Sequence, residues 1–209
     1  MKNLLSTLFL ITICSITTYS QSKKDKYDAI NAYLTTLLID KSQTIIIVRE
    51  KISANQTLKL FAEGKLNDKP FNRINGIQVR EAGILEPLYD ETDFQKMRKD
   101  YQDDKNDGSY GFSKDASWNR LDFQYKSIFF ESFNIIMAKR EKDLSVYKYH
   151  TQLIALSDPM FYKGKECLVI GVAVGDSGPL GYLNHYVIVM KKINKKWELI
   201  QRGEKYWFN

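Results

Sequence analysis

This 209-residue sequence predicts an α+β fold, a mainly antiparallel curved sheet ending in a four-stranded C-terminal meander with two or three helices packed on it. Three observations predict it. Cys167-Leu168-Val169-Ile170-Gly171-Val172-Ala173-Val174 is an unbroken apolar run rich in β-branched residues, which suits a central strand covered on both faces. Strand-like pieces separated by turn-forming residues flank it on both sides. In the N-terminal half, apolar residues recur at helical spacing in Tyr27 to Ile39 and again after Tyr89.

Along the meander, Thr151 to Leu156 and Met160 to Tyr162 are short strand pieces split by Asp158-Pro159. Lys163-Gly164-Lys165 is the turn into the central strand, with Gly164 free to adopt positive φ. Gly175-Asp176-Ser177-Gly178-Pro179-Leu180-Gly181 holds too many breakers to continue a strand. The chain returns as Tyr182 to Lys191, where Tyr186, Ile188 and Met190 share one face and Leu183, His185, Val187 and Val189 the other. Lys191 to Lys196 reads as a polar connection, and Trp197 to Gln201 as the last strand, with Trp197 and Leu199 pointing one way.

Upstream, Tyr27, Ile30, Leu34, Leu37 and Leu38 form one stripe of an amphipathic helix. Ile45-Ile46-Ile47-Val48 makes Gln43 to Ile52 a strand. Thr57 to Ala62 alternates and reads as its hairpin partner through Ser53-Ala54-Asn55, while Asn75-Gly76 marks a second hairpin. Thr92 and Gln95 form a capping-box pattern for a helix whose buried face is Phe94, Met97 and Tyr101. Lys105 to Ser117 reads as a loop, Ser127 to Phe130 as a strand, and Asn134 to Lys142 as a short helix.

Residues 1–20 have the form of a secretory signal: Lys2, an apolar stretch from Leu4 to Ile16, and small residues at Thr18 and Ser20, with cleavage expected before Gln21. Residues 21–209 then form a single domain, secreted or periplasmic. Lipid anchoring at Cys14 is the weaker alternative because bulky Ile13 precedes it. No later stretch resembles a transmembrane segment. Only Cys167 remains after cleavage, so no intrachain disulfide is expected and the thiol reads as a small buried hydrophobe. The 31 basic and 25 acidic residues, net +6, are spread along the chain and argue against nucleic acid as a partner.

The combination of Trp118 and Phe123, then Ser157-Asp158-Pro159-Met160-Phe161, a hydrophobic strand, a glycine-rich loop and Lys195-Lys196-Trp197-Glu198-Leu199 resembles a group of small exported bacterial domains of unassigned function. It spans about the last ninety residues and implies a fold arrangement, with the Ser-x-Pro-x-Phe step entering the last sheet, and no catalytic residue.

Gly175-Asp176-Ser177-Gly178-Pro179 invites comparison with the nucleophile motif of chymotrypsin-like serine proteases, but has one glycine fewer, and neither His150 nor His185 sits in that family's histidine setting. A different triad of Ser177, His185 and Asp176 is the alternative reading, a serine hydrolase. Asp103-Asp104-Lys105-Asn106-Asp107-Gly108 departs from a calcium loop at Lys105 and Lys114. No metal or cofactor is expected. Tyr182, Tyr186, Trp197 and Trp207 are candidates to line a ligand-binding concavity on the sheet, against the simpler reading that they fill the core. The favoured expectation is a non-catalytic exported domain that binds a protein partner or a small ligand, with action on a partner protein as a structural or inhibitory role the third possibility.

Overall fold

The computed structural model describes residues 22–37, 44–63, 72–74, 77–79, 89–125, 128–142, 151–176 and 183–204. A helix over residues 22–37 (α1) precedes strands β1 (Thr44–Val48) and β2 (Glu50–Ile52) and helix α2 (Ala54–Glu63). A small hairpin, β3 (Asn72–Ile74) and β4 (Ile77–Val79), precedes α3 (Glu91–Tyr101), β5 (Phe112–Ser117), β6 (Phe129–Glu131) and α4 (Phe133–Lys142). The meander follows as β7 (Thr151–Leu156), β8 (Met160–Tyr162), β9 (Cys167–Asp176), β10 (Asn184–Ile193) and β11 (Lys196–Glu204). The main sheet runs β11-β10-β9-β7-β1-β6, with β8 also paired to β9. Its C-terminal pairs are antiparallel, whereas β1 runs parallel to both β6 and β7. The α+β class and the meander stand as the sequence predicts, while the parallel register of β1 was not legible there.

Apolar side chains alternate across the sheet because successive strand residues face opposite sides. Ile45, Ile47, Ile154, Leu156, Leu168, Ile170, Val172, Ile188 and Met190 pack on the α1 side against Ala29, Ile30, Tyr33 and Leu34. On the other side, Cys167, Val169, Val187 and Val189 meet Leu58 and Phe61 of α2 and Phe94 and Met97 of α3. Ile46, Val48, Leu153 and Ala173 meet Phe133 and Ile136 of α4 on that same side. β9 is therefore buried on both faces, as its unbroken apolar run requires.

Five local expectations are corrected. Thr57 to Ala62 lies in helix α2, because Ser53 starts a helix: its Oγ accepts from Gln56 N at 3.1 Å and its carbonyl from Thr57 N at 3.1 Å. The Thr-Leu-Lys-Leu-Phe-Ala segment fits both periods, and burial of Thr57, Leu58 and Phe61 on one helix face decides between them. In α3 the cap is Asp90, whose Oδ1 accepts from Asp93 N at 2.9 Å, so Thr92 lies inside the helix. Phe112–Ser117, expected within a loop, is strand β5 and pairs with β2. β10 extends to Ile193, and the connection to β11 shrinks to Asn194-Lys195, both at positive φ as a two-residue hairpin turn demands. Arg49 divides the expected Gln43–Ile52 strand into β1 and β2.

Gly171 fixes how closely α2 approaches the sheet. A Cβ added there would lie 2.3 Å from Thr57 Oγ1, and Thr57 is fully buried with its hydroxyl donating to Ser53 O at 3.0 Å, so it has nowhere to move. Ser157 completes the lock: its N donates to Gly171 O at 2.9 Å and its Oγ accepts from Gly171 N at 2.8 Å. Gly171→Ala is expected to destabilise the protein by about 1–3 kcal/mol in urea unfolding, the usual range for overpacking. Thr57→Ala in the same chain should recover part of that loss, and strict additivity of the two substitutions would count against the contact. Asp90→Ala is expected to lower stability by about 1 kcal/mol while Thr92→Ala changes it by less than half as much, a comparison that thermal melts decide.

Candidate functional site at the sheet fork

Asp158-Pro159 interrupts the line of strand that β7 and β8 make along β9. On the far side of that line, β1 stays paired to β7, and a last isolated bridge joins Ile52 to Ser157. β2, paired with β5 on its other edge, ends at that bridge, and among the described residues β8 has no strand on its second edge. The sheet therefore forks between β2 and β8. The Phe161 N–H on that open edge donates to Tyr101 Oη at 3.1 Å, so the end of α3 caps one wall of the fork.

Lysines and aromatic rings converge here. Lys51 Nζ donates to both carboxylate oxygens of Asp158, at 2.9 and 3.0 Å, and lies 4.2 Å from the centroid of the Trp118 ring. The Lys51 side chain is only 15% exposed and that of Asp158 57%, so the pair reaches solvent through its carboxylate. Trp118 is held below by its indole N–H donating to Leu156 O at 3.0 Å and by its own N–H donating to Arg49 O at 2.8 Å. Lys26, from the first turns of α1, stands 5.3 Å from the Tyr101 ring and 5.5 Å from the Phe161 ring. Each such cation–ring pair is worth about 0.5–2 kcal/mol, depending on how dry it is.

Among the described residues Lys26 Nζ has no hydrogen bond and no ion pair within 4.0 Å. Burial lowers its pKa from the ordinary lysine value; the field of Asp158 offsets part of that and the neighbouring Lys51 adds to it. Two ammonium groups thus share the neighbourhood of one carboxylate that Lys51 already engages at both oxygens. Such an arrangement can hold an anion, and it can hold a cation only against the charge already there.

The residues singled out from the sequence fall elsewhere. Tyr186 and Trp197 are buried in the core on the α1 side. There Tyr186 Oη and Tyr33 Oη share a hydrogen bond of 2.6 Å, and the Arg202 guanidinium stacks 3.7 Å from the Tyr186 ring centroid. Burial, reinforced by Tyr186, raises the Tyr33 pKa well above the ordinary value. Tyr182, Trp207 and Ser177 lie outside the described residues, as do Cys14, His150 and the expected leader of residues 1–20. Asp176 ends β9, and His185 pairs in register with Ala173 on the neighbouring strand. His185 Nδ1 is screened from solvent with no hydrogen-bond partner among the described residues, and burial lowers the pKa of the imidazole.

Cys167 is buried, and burial raises its thiol pKa, in keeping with a packing role for it. The acidic stretch Asp103 to Asp107 is gathered by Asn55, whose Nδ2 donates to Asp103 O at 3.1 Å, Asp104 Oδ1 at 3.2 Å and Asp107 Oδ2 at 3.0 Å. No described group of three or more His, Cys, Asp or Glu side chains has the geometry of a metal site. No described helix is long and apolar enough to cross a membrane.

Comparison with protein-family models, with curated proteins and with solved structures finds no match for this chain. The fork residues themselves were half legible: Ser157 to Phe161 stood out as a strand break, whereas Lys26 sits in a polar run and Lys51 in a short strand, with no local signal that the two amines meet.

His185 makes a pH prediction. Its folded pKa is below the unfolded value near 6.5, so the unfolded chain takes up its proton first and stability falls as pH drops through 6.5 toward the folded pKa. In His185→Gln the loss of stability between pH 7 and pH 5 should be smaller than in the wild type, measured by urea unfolding at each pH. Identical pH profiles for the two proteins would show that His185 is not buried as described.

Proposed function

We propose that this chain is an exported, non-catalytic α+β domain whose work is binding, and that the sheet fork is where it binds. One observation carries the reading: the half-buried Lys26 amine, set over two aromatic rings and beside a Lys51 already engaged by Asp158, with no counter-ion of its own among the described residues. A desolvated cation held this way is costly to the free protein and repaid when an anionic group arrives. The groups at the fork are two amines, a carboxylate and aromatic rings, a set suited to charge and surface recognition. The serine-hydrolase alternative draws on Ser177, Asp176 and His185, and of these the imidazole of His185 is packed on an apolar face beside Leu183 and Val187.

Export rests on the form of residues 1–20. Expressed as the full chain in a bacterial host, the protein is expected outside the cytoplasm with its N-terminus at Gln21, read by intact-mass spectrometry; a lipid-modified Cys14 would replace a free domain with an anchored one. Incubation with a fluorophosphonate is expected to leave the mass unchanged and generic esters unhydrolysed. An adduct that disappears in Ser177→Ala would transfer the assignment to the hydrolase.

A further inference from the structure

We propose that the fork between β2 and β8 takes a small organic carboxylate, its charged group beside the Lys26 and Lys51 amines and its apolar body against Phe161 and Tyr101. The inference deepens the binding reading and rests on it. It begins from charge. Lys26 and Lys51 flank the site, Lys165 stands 5.8 Å from the Phe161 ring, Asp158 is engaged by Lys51, and Asp100 precedes Tyr101 and acts on its hydroxyl. With Lys51 and Asp158 closed on each other, Lys26 is the cation here left without a hydrogen bond or ion pair among the described residues, and one such cation matches a monoanion. A phosphate dianion would instead place excess negative charge beside Asp158.

The rings supply the second half of the argument. Phe161 and Tyr101 are partly buried, and both present a surface to Lys26 at 5.3–5.5 Å. Trp118 is nearly fully buried and serves to hold Lys51 in place. The partly exposed Asp158 carboxylate leaves an approach from solvent. The Tyr101 hydroxyl is engaged by the Phe161 N–H, so the ring is fixed and its face is already formed before a ligand arrives.

Phenylacetate is the simplest probe of that chemistry, with phenylacetamide as its neutral isostere and inorganic phosphate as an anion without an apolar body. The lysine side-chain signals of the intact secreted protein, followed by NMR, are expected to show saturable shifts for Lys26 and Lys51 at phenylacetate concentrations on the order of millimolar. Lys26→Met, which leaves the Lys51 to Asp158 pair in place, should weaken binding at least about tenfold, and Lys26→Arg should retain most of it. The Lys26 amine should also titrate at higher pH with phenylacetate bound than without.

Equal responses to phenylacetamide or to phosphate, or no saturable shift, would overturn the proposal. If Lys26→Met does not melt cooperatively, the wild-type titrations decide by themselves. Failure with phenylacetate and no serine adduct would remove this ligand class and leave the binding reading standing. A Ser177-dependent adduct would remove the reading itself, whatever phenylacetate does.

Discussion

A strand that has left water on both faces, β9, is the constraint from which the rest of the structure follows. Leu168, Ile170 and Val172 need cover on one side and Cys167, Val169 and Ala173 on the other, and no single layer of helices supplies both. α1 covers the first side, and α2, α3 and α4 divide the second. The approach of α2 is close because Gly171 has no side chain where Thr57 arrives. Here a residue that weakens a strand in isolation is what allows the helix to bury Leu58 and Phe61 against it.

The same packing produces the fork. Ile52 ends β2 at its bridge to Ser157 and the Ser53 cap turns the chain into α2, while β8 continues along β9 beyond Asp158-Pro159 with no described strand beside it on its other edge. A parted sheet leaves backbone groups and aromatic faces to be covered. The Tyr101 hydroxyl takes the Phe161 N–H, and the Lys26 and Lys51 amines stand over the rings of Tyr101, Phe161 and Trp118, with Lys51 also bonded to Asp158. Glu50 anchors the other side of the divergence: its carboxylate accepts from Ser132 Oγ at 2.6 Å and from Phe133 N at 2.8 Å, tying β2 to the start of α4. Carboxylates that look available in the sequence, Glu50 and Asp90 among them, thus cap the starts of helices, and those from Asp103 to Asp107 organise a turn around Asn55.

Where sequence reasoning worked, the signal was local and redundant. The double-sided burial of β9, the alternation in β10, the stripe of Ile30 and Leu34, and the Phe94, Met97 and Tyr101 face are each written several times over within a short stretch. Where it failed, two local readings were equally good. Thr57 to Ala62 satisfies a period of two and a helical stripe alike, and only the Gly171 slot and the Ser53 cap choose the helix. Phe112–Ser117 carries few apolar residues and became a strand because β2 lay open to pair with it.

The sequence by itself determined the apolar strands, the helical stripes, the turn at Gly164 and the pairing of β3 with β4, and hence the α+β class, because each depends on neighbours within a few residues. Only the tertiary structure decided that β1 lies parallel between β6 and β7 and that Tyr186 and Trp197 belong to the core. It also decided that Lys26, Lys51, Tyr101, Asp158 and Phe161, scattered across most of the chain, meet at one place. The physical reason is that a lysine reads the same in sequence whether water or an aromatic ring surrounds it. Its environment is set by which strands part and which helices cover the gap, and that is a property of the assembled sheet.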